Sequence, residues 1–505
     1  MSADEDLSRL LSSAVLVFVG MLFGSFSKLL ERVVIANWVT VDAYGEVSVA
    51  LAIVNISVAL TLLGFNQGIP RYVSRFDDER DLRGVWLSGL LAGGVMATIA
   101  ALLLYFNLGF VTDRLFESAG SKRLLAVFAV CIPLIVGLRV GVGAIRGFEN
   151  TVYRTYARDL LYNGLRLAVM VALLAAGWGV IAAGYAYLAA AAVSFVAVHV
   201  LLNRLLPLSG DFQLHTRKLV VFSTPLVVST IISILLMETD TLMLGYFRSP
   251  ESVALYGAAF PLARGIPVVM GAFGYLYFPL ASRLDTEDEH EEIDAVYKLT
   301  TKWGFLAMFP LFLTFFAFPG DVIRIVFGSE YSGAKTALSI LATGFFARGA
   351  FGRNGDTISA LGHPRYVFVA NVTAYVVNFG LNLVLIPRFG FVGAAVTSAI
   401  ASVVLNGVLY GVLRLRFGIS PFSRWTIRTY AVLLGGVLPG VLALSRHVSL
   451  TLATLPLFAV GVGLVSVAAL VVTGCLQPED RIPIRLVESK LGIETSIIAR
   501  YVPES

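Results

Sequence analysis

The chain has 505 residues, 57% hydrophobic and 14% charged, with a mean hydropathy of +0.82 and a formal net charge of +5. That charged fraction, against about 25% in soluble domains, excludes a soluble globular protein. The basic residues stand singly in short polar connectors, which excludes a nucleic-acid-binding stripe. Cys131 and Cys475 fall in apolar runs, so no disulfide, metal cluster or other cofactor is expected.

The N-terminal MSADEDLSRL is acidic, lacks the basic region of a secretory signal and runs into an apolar stretch too long for one, so the first helix is expected to be retained. A bilayer core of ~30 Å takes ~20 apolar residues per helix. Runs of that length predict helices over 8–36, 43–65, 84–106, 122–143, 157–178, 180–203, 218–247, 252–281, 296–318, 335–361, 366–387, 391–414, 427–445 and 452–474. The protein is therefore expected to be all-α, with about fourteen transmembrane helices. No connector reaches the ~50 residues of a small soluble domain, which speaks against a catalytic domain outside the membrane. The acidic connector DTEDEHEEID, Asp285 to Asp294, reads as a solvated link. Alternate connectors carry roughly 23 basic residues on one side and 8 on the other. The positive-inside rule then places both termini in the cytoplasm.

Two stretches repeat across the middle of the chain. Ala43-Tyr44-Gly45 follows the first helix and Leu255-Tyr256-Gly257 follows the seventh; Pro70, Ser74 and Arg75 then match Pro279, Ser282 and Arg283. Six helices between the copies keep them in one orientation, a parallel repeat. The expected architecture is two pseudo-symmetric six-helix lobes, residues 1–205 and 206–416, around a central cavity. The last two helices (417–475) and a cytoplasmic tail (476–505) complete it.

The stretches VDAYGEVSVALAIVNISVALTLLGFNQGIPRYVSR, DTLMLGYFRSPESVALYGAAFPLAR and IPRFGFVGAAVTSAIAS, with a weaker FGSEYSGAKTALSILATG, resemble the Wzx-type polysaccharide or oligosaccharide-lipid flippases. These belong to the superfamily that also holds the MATE exporters and the MurJ flippases. The resemblance implies a plasma-membrane transporter, not an enzyme. It would move a polyprenyl or dolichyl phosphate or pyrophosphate sugar from the cytoplasmic to the outer leaflet by alternating access, for surface polysaccharide or protein glycosylation and in company with glycan-assembly enzymes. Relatives that flip lipid-linked sugars line their cavity with cations of the first and eighth helices, places taken here by Lys28, Arg32 and Arg264.

Charges inside membrane segments cost on the order of 3 kcal/mol each and default to functional hypotheses. Arg264 and Arg348 lie near the middle of helices eight and ten, and Arg353 shares a face with Asp356. A lipid phosphate crossing hydrocarbon requires such cations, whose guanidinium forks match its oxygens; the plainer alternative is that they hold helices together. Arg139 and Arg166 lie near helix ends, are expected to snorkel, and stand outside the expected site. Asn371, Tyr375, Asn378 and Asn382 form one polar face of helix eleven, suited to sugar hydroxyls or to interhelical bonding.

Glu31, Glu238, Asp240 and Asp356 are candidate coupling or gating carboxylates, Glu31 being most simply the partner of Lys28. Aligning the repeats sets Lys28 opposite Asp240, which predicts an ion pair between them that closes the outer mouth. No Walker A pattern occurs, leaving a proton or sodium gradient, or a downhill sink, as the driving force. The rivals are a MATE-like cation-coupled exporter, whose cavity should be acidic, and a membrane enzyme that transfers or polymerises glycan.

Overall fold

The computed structural model describes residues 20, 23–118, 120–481 and 502, and all regular structure among them is helical. The start of the expected first helix and most of the expected tail lie outside the described residues. The chain divides into two compact units, Met1–Gly257 and Ala258–Ser505, each taken in turn.

The first unit opens with a helix over 23–38 (α1). Thr40 then caps α2 (Val41–Thr61), its hydroxyl accepting from the Ala43 N–H at 3.4 Å. One helix is expected over 43–65. The structure instead ends α2 at Thr61 and starts α3 (Phe65–Val73) after two left-handed residues, Leu63 (φ 50) and Gly64 (φ 70). Glycine suits this break doubly, because a Cβ on Gly64 would also lie 2.9 Å from the Ser223 carbonyl oxygen of α10 (Thr216–Phe247).

Asp78 caps α4 (Glu79–Phe106), and a short α5 (Leu108–Leu115) occupies part of an expected loop. Helix α6 (Gly120–Gly147) is the core of this unit, packed against α4 and against α9 (Ile181–Asn203). Between α6 and α9, after a short α7 (Thr151–Arg154), the expected single helix over 157–178 divides into a π-helical stretch Thr155–Tyr162 and α8 (Asn163–Ala175). Helix α10 packs on α2 and α3. The connector before it is fastened to the start of α4, with His215 Nε2 2.7 Å from Asp81 Oδ1 and Arg83 donating to the carbonyls of Pro207 (2.7 Å) and Asp211 (2.9 Å).

Helix α11 (Pro250–Gly265) leads into the second unit, which continues with α12 (Val268–Thr286) and α13 (His290–Ala317). The acidic connector lies between these two, with Glu291 and Glu292 in the first turn of α13 where the helix dipole favours them. Repulsion from Glu292 raises the exposed Glu289 carboxyl above its ordinary range. After α14 (Pro319–Phe327) the expected helix 335–361 is broken into α15 (Lys335–Ala350) and α16 (Asn354–Ala360). The cause is Gly352, left-handed at φ 64 and so close to α13 that a Cβ would meet Thr301 Oγ1 at 2.0 Å. Two carbonyls at the break are satisfied by tyrosine hydroxyls: Tyr430 donates to Ala350 at 3.1 Å and Tyr297 donates to Phe351.

The expected helices 366–387 and 391–414 run together as α17 (Pro364–Phe417), kinked at Gly390 (φ 57, ψ −136). Then follow α18 (Arg424–Val432), a π-helical turn Leu433–Val437, α19 (Leu438–Leu444) and α20 (Thr454–Val472). Beyond α20 the expected tail begins as a buried anchor. Lys302 of α13 donates to Asp480 (2.5 Å) and to the Cys475 carbonyl (2.8 Å), and Trp303 Nε1 donates to the other Asp480 oxygen at 2.7 Å.

Among the described residues ten helices are long and apolar enough to cross a membrane. The difference from the expected fourteen has local causes. The described part of α1 is short, α17 joins two expected spans, and the π-helical stretch and Gly352 leave α8 and α15 at 13 and 16 residues.

Candidate functional site

Lys28, Glu31 and Arg32 lie on consecutive turns of α1, yet they meet different surroundings. Two glycines bring α1 against the π-helical stretch and α8: a Cβ on Gly20 would meet Thr155 Cγ2 at 2.3 Å, and one on Gly24 would meet Asn163 Nδ2 at 3.0 Å. This approach carries Glu31 to Arg166 of α8, 2.6 Å away, with both side chains at 5% exposure or less. The expected Lys28–Glu31 pairing is therefore corrected to Glu31–Arg166.

Arg166 is held on several sides. Its guanidinium carbon lies 4.5 Å from the ring centroid of Tyr187 and 5.1 Å from that of Tyr162, and Nη2 lies 3.4 Å from Asn163 Oδ1. It does not snorkel to a membrane surface, because a buried carboxylate and two aromatic faces repay its burial.

Lys28 is exposed, and the charged groups around it are Arg166, Arg158, Arg139 and Asp159. Arg158 of the π-helical stretch is exposed and Arg139 of α6 half-buried. Around Lys28, counting Lys28 itself, four cations thus face two carboxylates, Glu31 and Asp159. Arg139, Arg158, Arg166 and Tyr187 were not expected in the site. The spacing of Arg158, Tyr162 and Arg166 by four residues was the available signal, masked by their nearness to a helix end.

Arg32, one turn further along α1, faces Tyr44, Glu238, Tyr187 and the carboxylate of Glu31. Glu238 of α10 accepts a hydrogen bond from Asn55 Nδ2 of α2 at 3.0 Å. Asp240 is buried and accepts from the Tyr256 hydroxyl at 2.5 Å. The expected Lys28–Asp240 ion pair is not formed, because Tyr256 engages the carboxylate and α1 presents Arg32 to α10 in place of Lys28.

In the second unit Arg264 and Arg348 are exposed. Arg348 has Asp356 and Arg353 as its charged neighbours. Arg353 pairs with Asp356 and donates to the Met270 carbonyl at 2.8 Å. On α17 the expected polar face divides. Asn371 donates to its own helix at the Val367 carbonyl (2.9 Å), Tyr375 is half-buried beside Phe379, and Asn382 donates to Asn378 (3.2 Å), both of these buried. No cluster of three or more metal-ligating side chains occurs among the described residues.

The model of the family described as "Polysaccharide biosynthesis protein" matches residues 10–285, and the MatE model matches residues 225–384. A curated relative in Haloferax volcanii, described as "Probable low-salt glycan biosynthesis flippase", is 30% identical over 39% of this chain and 41% of its own length. The chain thus spans under half of that relative. A second from the same organism, "Probable flippase AglR", is 21% identical over 80% of this chain and 83% of its own. Among solved structures, "Lipid II flippase MurJ, inward closed conformation" superposes with a TM-score of 0.70 at 12% identity, covering 90% of this chain and 98% of that one. The family model spans more than half of the chain, and the helical fold is like that of the MurJ and MATE structures: the chain belongs to the polysaccharide biosynthesis protein family.

Proposed function

We propose that the protein is a flippase for a lipid-linked saccharide, a polyprenyl or dolichyl phosphate or pyrophosphate sugar, carried from the cytoplasmic to the outer leaflet. Fourteen helices in two lobes with both termini in the cytoplasm would alternate access to a cavity between them. The head group would meet the cations while the lipid tail stays in the bilayer. A proton or sodium gradient would drive the cycle, and glycan-assembly enzymes would supply and consume the cargo. Family membership and the descriptions of the Haloferax relatives support transport over enzymatic glycan transfer.

The observation that carries the reading is the cationic surplus around Lys28, where Lys28, Arg139 and Arg158 face the Asp159 carboxylate, 4.0 Å from Arg158, beside a Glu31 already engaged by Arg166. Uncompensated cations in a membrane protein are costly, and a phosphate offsets that cost through charge-assisted bonds. An exporter of organic cations needs open carboxylates. Here Glu31, Glu238, Asp240 and Asp356 are bonded to Arg166, Asn55, Tyr256 and Arg353 respectively. The test is reconstitution of the full chain into vesicles with a fluorescent polyprenyl-diphosphate saccharide. Wild type should move it between leaflets, and Lys28→Met should not. Equal movement by both, or transport only of organic cations, would overturn the reading.

A further inference from the structure

Three residues on from Lys28, Glu31 stands where an i, i+3 ion pair would ordinarily form and quench the lysine. Arg166 prevents this by engaging the carboxylate itself at 2.6 Å, in a site where Tyr187 also faces it. The surrounding structure is shaped to hold Arg166 still. The π-helical stretch turns Tyr162 under the guanidinium, Tyr187 covers it from α9, and Asn163 takes one of its donors. Extra residues of the π-helical kind inside helices recur at functional positions. We infer that Arg166 is a positioning residue, which by sequestering Glu31 withholds that carboxylate from the Lys28 ammonium and keeps the cluster around Lys28, with Asp159 as its other carboxylate, net positive for the anionic group of the cargo. This deepens the flippase reading and rests on it. The arginine does not itself meet the cargo; it decides whether its neighbour can.

A merely structural arginine and a sequestering one differ in what removal of both partners does. Without Arg166 the Glu31 carboxylate is released to Lys28. Without either partner the lysine is free again, and replacing a buried ion pair by neutral groups is often tolerated. The experiment measures binding of a polyprenyl phosphate to the purified full chain in detergent. Wild type should bind. Lys28→Met and Arg166→Met should each weaken binding roughly tenfold or more, the loss of a charge-assisted bond. Glu31→Gln/Arg166→Met should return to within about threefold of wild type, and adding Lys28→Met to that double variant should abolish the recovery. Arg166→Lys, which keeps a cation for Glu31, should retain most of the affinity. The recovery and its loss in the triple variant decide the matter even where Arg166→Met alone fails to fold. If the double variant binds no better than Arg166→Met, or if the triple variant binds as well as the double, the sequestering role is wrong. If wild type binds no polyprenyl phosphate, the flippase reading falls first and this inference with it.

Discussion

The two units each bury an ion pair, and the pairs are built to different ends. In the second unit Lys302 and Asp480 are at 2% and 0% exposure, and their bonds are closed locally: the carboxylate takes the lysine, the Trp303 indole and the Gln477 N–H (2.7 Å), and the lysine also reaches the Cys475 carbonyl. In the first unit Glu31 and Arg166 are as deeply buried, but their neighbourhood is left open. Arg166 Nε, Asp159 Oδ2 and Thr155 Oγ1 lack hydrogen-bond partners among the described residues, and an exposed lysine stands one turn away. Complete satisfaction is the mark of an anchor, here joining the segment after α20 to α13. Incomplete satisfaction beside a charge surplus marks a site, because unmet polar groups are costly unless something else meets them.

The comparison breaks most sharply on stability. Asp480→Ala should destabilise the protein by about 3–5 kcal/mol, the cost of stranding a buried charge, read as a lowered midpoint of thermal unfolding in detergent. Lys302→Met/Asp480→Leu should recover much of it. A loss below ~1 kcal/mol for the single variant would show that the tail is not an anchor. Lys28→Met should do the reverse, lowering affinity for a polyprenyl phosphate by ~1.5–3 kcal/mol with the unfolding midpoint unmoved, since Lys28 is exposed. An equal drop in midpoint would make it a structural residue like Lys302.

Smaller effects sharpen the picture. Tyr297→Phe removes the hydroxyl that serves the Phe351 carbonyl at the helix break and should cost about 1–3 kcal/mol of stability through the buried carbonyl it leaves unsatisfied. Asn371→Ala should be close to neutral, within ~0.5 kcal/mol, because its amide serves only its own helix among the bonds described for it. A transport defect there without a stability defect would assign it to the sugar.

The parts legible in the chain were those that depend on local pattern. Apolar run lengths located the helical segments, because a bilayer span needs a set number of apolar residues wherever it occurs. The repeated Tyr-Gly motifs and the long matched stretches carried the family. Lys28, Glu31 and Arg32 were recognisable as costly charges on α1, and Asp240 as a carboxylate that would need a partner. Tertiary structure alone decided which partners they have. Glu31 leaves Lys28, its neighbour three residues back, for Arg166, 135 positions away, because Gly20 and Gly24 let the chain at the start of α1 approach the π-helical stretch and α8. Asp240 goes to Tyr256 and not to Lys28. Gly64 and Gly352 break helices that hydrophobicity would continue, each at a close approach to another element that no local pattern records. Hydrophobic length is a property of neighbours in sequence, whereas the pairing of a buried charge is settled by whichever opposite charge the packed helices bring within bonding distance.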